Sequence, residues 1–92
     1  MELSKLQESI LIQLRKLTEC RGEQSYFEFE VEIEVEDCTF IFSGDFSIDY
    51  SDKIEGFNIS DSYIQFADFE AAINPDYVQT IQSEINNKKL YY

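Results

Sequence analysis

The apolar positions along the chain change their period more than once, and each change marks a new element. Over residues 3 to 20, Leu3, Leu6, Ile10, Leu14 and Leu17 recur every three or four positions, with Leu11 widening the stripe, which predicts an amphipathic helix. Gly22 stands where a left-handed cap commonly closes a helix, and Arg15, Lys16 and Arg21 lie near the negative end of its dipole. From Tyr26 the period falls to two. Phe27, Phe29, Val31, Ile33 and Val35 then point one way, and Glu28, Glu30, Glu32, Glu34 and Glu36 the other, as in a strand with one buried face.

A second alternating run places Cys38, Phe40, Phe42, Gly44, Phe46, Ile48 and Tyr50 on one face. With Glu36 and Asp37 as a two-residue hairpin loop, Val35 pairs with Cys38, Ile33 with Phe40, Val31 with Phe42 and Phe27 with Phe46. Both apolar faces then fall on the same side, which a loop one residue longer or shorter achieves only with a bulge. Tyr50 to Lys53 reads as the next turn. Phe57 and Ile59 continue the period of two, but Ile64 and Phe66 have the opposite parity, so Asp61-Ser62 is expected to be a bulge or a second tight turn. Asn74-Pro75-Asp76 then starts a second helix, with Asn as cap, Pro at the first position and an acid in the first turn. Val78, Ile81 and Ile85 form its apolar stripe, and Lys88 and Lys89 suit its C-terminus.

The expected fold class is α+β: an N-terminal helix, a three- to four-stranded antiparallel meander and a C-terminal helix. Both helices should cover one sheet face, because a lone sheet of this size needs apolar partners. Ninety-two residues make one compact domain, 1–92, with room for a single core. Fourteen aromatic residues against one methionine favour a firmly packed interior.

Charge changes this picture most. Nineteen acids against seven bases give a net charge of −12, and residues 23 to 76 alone hold fifteen acids and one base, Lys53. The negative charge belongs to the sheet. On its outward face Glu28, Glu30, Glu32 and Glu34 are expected to meet Asp45 and Asp49, with Thr39, Ile41, Ser43 and Ser47 between and Glu28 opposite Asp45. Stability does not call for this arrangement: glutamate is depleted in strands, and like charges across strands are destabilising. Same-face residues along a strand lie roughly 7 Å apart, within a Debye length of about 8 Å at physiological salt.

Two explanations compete. One is solubility and protection of a sheet edge in a structural or self-associating domain. The other is a surface for a basic protein partner, for which Glu28, Glu30, Glu32, Glu34, Glu36, Asp45 and Asp49 are the candidate residues. Their spacing along the strand approaches the roughly 6 to 7 Å between successive phosphates of a nucleic-acid strand, so a DNA mimic that blocks a nucleic-acid-binding protein is the sharper form of this second reading. Direct binding of nucleic acid is disfavoured by charge. A homodimer, if formed, should use helix 1, where Ile12 and Leu11 extend the apolar arc, or the tail Leu90-Tyr91-Tyr92, since two acidic faces repel.

Catalytic chemistry finds little support. There is no histidine, and so neither the commonest general base nor the commonest transition-metal ligand. Cys20 and Cys38 sit in acidic or helix-terminal settings that favour the neutral thiol, and both are expected to be free. The Asp45–Asp52 run alternates oxygen donors but lacks the glycine and glutamate of a calcium loop. Phe57, Tyr63, Phe66 and Phe69 are expected in the core. The expectation is therefore a non-enzymatic acidic interaction protein with no cofactor and no metal. The opening MELSKLQESILIQLRKL lacks the apolar run of a signal peptide, and no membrane span is evident, so a cytoplasmic location is expected.

Overall fold

A computed structural model of the chain describes residues 3–19 and 22–90. Its elements run α1 (Leu3–Thr18), β1 (Tyr26–Val35), β2 (Cys38–Ile48), β3 (Ile54–Gln65), β4 (Glu70–Ala72) and α2 (Pro75–Ile85). The four strands form one antiparallel sheet in the order β1-β2-β3-β4. Helix α1 lies against β1 and α2 against β3, and both contribute to a single apolar cluster under one sheet face.

The β1–β2 register follows from the alternation: Val35 opposes Cys38, Ile33 Phe40, Val31 Phe42, Glu28 Asp45 and Phe27 Phe46. Glu36 and Asp37 form the loop, with Glu36 at φ 54°. Positive φ at only the first loop residue is the sign pattern of a type II′ turn, which suits the twist of a hairpin.

Strand β3 carries two extra residues, and the one between Ile59 and Ile64 resolves the change of parity. Gly44 opposes Ile59 while its neighbour Ser43 opposes Asp61, leaving Ser60 over; Asp45 opposes Asn58 while Ser47 opposes Glu55, leaving one more residue near Gly56. The chain is thus one bulged strand, with no turn at Asp61-Ser62. Gly56 supplies a φ of 60° at the first bulge, the left-handed conformation that glycine takes without penalty. The second bulge brings β3 so close to β2 that a Cβ on Gly44 would stand 1.8 Å from the Asn58 carbonyl oxygen.

The missing side chain at Gly44 also lets aromatics from the strands on either side of β2 meet. Phe29 of β1 stacks on Phe57 of β3 with ring centroids 5.0 Å apart, and Phe27 stacks on Phe46 at 5.5 Å. Each fully buried phenylalanine contributes about 1.5–3 kcal/mol, and a well-placed ring pair about 0.5–1.5 kcal/mol more. Leu6, Ile10, Leu11 and Leu14 of α1 and Ile81 and Ile85 of α2 close the core from the other side. The Asn74 side chain accepts the Asp76 N–H at 2.9 Å, capping α2 as its sequence indicates.

The chain after α2 returns to the sheet. Ile54 N donates to Lys88 O, Asn87 N to Ile54 O and Leu90 N to Asp52 O, each at 2.8 Å. Residues 87 to 90 so extend the sheet beside the start of β3, beyond the reach of β4. Leu90 is fully buried, and its carbonyl accepts Arg15 Nε at 2.5 Å.

Four details depart from the sequence expectations. Strand β2 ends at Ile48, so Tyr50 sits fully exposed at a turn rather than on the apolar face. Leu17 is 44% exposed beside the edge of β1, because the helix meets the sheet through a narrower face than its leucines suggest. Helix α2 stops at Ile85, and Lys88 and Lys89 belong to the added segment instead of its last turn. Leu90 packs into the chain's own core and is no exposed tail; Tyr91 and Tyr92, like Cys20 and the end assigned to helix 1, lie outside the described residues.

Candidate functional site

Antiparallel pairing places each residue beside its partners on the same face. From Glu28, Glu30, Glu32 and Glu34 the outward face can therefore be read across the sheet in rows. The first holds Glu28, Asp45 and Asn58; the second Glu30, Ser43 and Asp61; the third Glu32, Ile41, Tyr63 and Ala72; the fourth Glu34, Thr39, Gln65 and Glu70. All four glutamates are exposed, and no ion pair among the described residues reaches them.

Asp45 joins the stripe in the expected position and accepts a hydrogen bond from the Tyr26 hydroxyl at 2.8 Å. That bond, with desolvation and the charges of Asp45 and Glu28 acting alongside, raises the Tyr26 pKa above its ordinary value.

Two of the expected residues lie elsewhere. Glu36 is exposed in the hairpin loop, just past the end of β1. Asp49 does not continue the face: it follows the last residue of β2, and its Oδ1 accepts the N–H groups of Ser51 at 2.8 Å and Lys53 at 2.9 Å. The Lys53 N–H, then that of Ser51 and the charges of Lys53 and Lys89, lower the Asp49 pKa against the opposing effect of desolvation. Its carboxylate shapes the β2–β3 turn.

Sequence reading missed the other half of the face. Asp61 and Tyr63 turn outward because the bulge at Ser60 reverses the phase of β3, and β4 carries Glu70 alongside. The even parity of Ile64 and Phe66 held the signal for the first two, whereas a three-residue strand has no period to reveal Glu70. Tyr63 consequently lies among carboxylates. Desolvation first, and then the charges of Glu70, Glu30, Asp61 and Glu32, raise its phenol pKa.

Ile41, beside Tyr63 and Glu32, is only 5% exposed although it faces away from the helices. The outward surface is thus a carboxylate field with an apolar centre, sheltered by its longer neighbours. Of the four aromatics assigned to the core, Phe57 is buried and Tyr63 lies on the acidic face. Phe66 and Phe69 stack at 4.8 Å across the β3–β4 turn, with Phe69 62% exposed. Cys38 is a free thiol that donates to Val35 O at 3.2 Å. Among the described residues, no three carboxylate or cysteine side chains converge closely enough to hold a metal ion, and no helix is long and apolar enough to cross a membrane.

No protein-family model, curated protein or solved structure matches the chain.

Proposed function

We propose that this is a non-enzymatic interaction module whose acidic sheet face binds a basic surface on a partner protein, in the manner of a nucleic-acid mimic. The observation that carries this reading is the uncompensated field: Glu28, Glu30, Glu32 and Glu34 in one line, with Asp45, Asp61 and Glu70 in neighbouring strands and no ion pair to the glutamate line among the described residues. Like charges at such spacing oppose folding by up to about 1 kcal/mol per facing pair. A cationic partner relieves that repulsion, and the same field accelerates its arrival. Tyr63, half-buried beside the sheltered Ile41, supplies an aromatic centre within the charge, one of the residue types in which interfaces concentrate their binding energy.

The test replaces Glu28, Glu30 and Glu32 together by Gln. Partners captured by the native chain in its host should be lost by this variant, while its circular dichroism stays unchanged. Capture should also weaken steeply between about 50 and 500 mM salt, and duplex DNA should compete with the chain for the partner. Capture of the same partners by the triple variant overturns the proposal.

A further inference from the structure

Strand β1 is an outer strand of the sheet, so one row of its backbone N–H and C=O groups faces away from β2. Helix α1 satisfies part of that row. The Gln13 side chain donates from Nε2 to Glu32 O at 2.7 Å and accepts the Glu32 N–H on Oε1 at 3.4 Å. A primary amide carries the same donor and acceptor as a peptide unit, so Gln13 stands where one peptide group of an added strand would stand. Gln24 covers Tyr26 O at 2.8 Å. Backbone groups alternate in direction along an antiparallel strand, so those of Glu28 and Glu30 point the same way as those of Glu32, and no hydrogen bond among the described residues occupies them.

A groove of about 390 Å³ runs along this open stretch, with Leu14, Lys16 and Leu17 on one wall and Glu28 to Val31 on the other. A second, of about 630 Å³, adjoins it past Gln13 and takes in the half-exposed Ile12.

We infer that the edge of β1 at Glu28 and Glu30 is a docking site for an extended segment of the partner that alternates basic and apolar residues and adds to the sheet as a fifth strand. This deepens the proposed function and rests on it. Alternate side chains of the added strand would share the outward face with Glu28, Glu30 and Glu32, where lysine or arginine meets carboxylate at neighbouring-strand distance. The intervening side chains would turn toward Leu17 and Ile12 of α1. Charge also settles which occupant fits. A second copy presenting its own β1 would bring two glutamate rows side by side, whereas a cationic strand neutralises one.

Two ten-residue peptides of equal composition test the idea: one alternates lysine and valine, the other carries five lysines followed by five valines. The alternating peptide should bind the intact chain about tenfold more tightly. N-methylation of alternate amides should remove that advantage in one of its two phases, by deleting only the donors that face β1. The amide protons of Glu28 and Glu30 should exchange freely in the protein alone and become protected in the complex. Glu30→Pro removes an edge N–H without touching the β2 ladder and should abolish the preference, while Glu30→Gln keeps that N–H and should weaken both peptides alike, leaving the alternating one ahead. Equal affinity for both peptides, without amide protection, overturns strand addition and leaves the acidic-face reading standing. Binding of neither peptide overturns both.

Discussion

The two faces of the β1–β2 hairpin are made by the same twenty-one strand residues, yet they follow opposite rules. On the inner face every side chain gains from its neighbours: Phe27 stacks on Phe46, Phe29 on Phe57, and Val31 opposes Phe42. On the outer face the charged side chains lose by theirs, since Glu28 opposes Asp45 and successive glutamates repel along the strand. One alternating sequence thus places its folding energy on one surface and a cost to folding on the other. The inner surface must then be strong enough to carry both.

Removing the strongest inner contact is the hardest test of this division. Phe46→Ala, at a fully buried position that touches Phe27, Phe29 and Phe57, should lower stability by about 3–5 kcal/mol in denaturant unfolding. A loss below about 1 kcal/mol would place the folding energy elsewhere. Gly44→Ala should cost about 2–3 kcal/mol, because the new methyl meets backbone at the β3 bulge rather than a side chain able to swing away. The outer face should respond with the opposite sign. Glu28, Glu30 and Glu32 changed together to Gln should raise stability by about 1 kcal/mol, and added salt should stabilise the native chain more than the variant.

The smallest effect concerns the outer-face phenols. Tyr26 and Tyr63 have pKa values raised in the folded chain. Their contribution is therefore fully present below the unfolded value of about 10 and is lost as pH rises through the folded values. Following tyrosinate absorbance during an alkaline titration should show the Tyr63→Phe variant missing a late-titrating phenol, with its melting temperature falling less at high pH.

How much of this was legible in the sequence depended on whether a side chain's direction was set locally. The β1–β2 register needed only the period of two and the agreement of two apolar phases, so its pairs could be written down from Phe27 to Phe46. Helix α2 announced itself through Asn74-Pro75-Asp76. Strand β3 showed that its phase changed but not where. Its extra residues, at Gly56 and Ser60, appear only in the pairing of β3 with β2 around Gly44, which lies across the sheet and not along the chain. Asp49 was misplaced for the complementary reason: it keeps the alternation of β2 one residue after the strand has given way to a turn. Asp61 and Tyr63 reached the face through a bulge whose parity shift did not give its position, and Glu70 through a three-residue strand too short to have a period.

One feature bears on how this chain comes to be folded in a cell. Leu6 and Leu90 belong to the same apolar cluster, so the core draws on positions at opposite extremes of the described sequence. A nascent chain emerging from the ribosome can form α1 and the first hairpin early, but it cannot seal its interior until position 90 has cleared the exit tunnel. Folding is thus held back until the segment after α2 has been made, and the phenylalanines of the half-made sheet are exposed to chaperones in the interval.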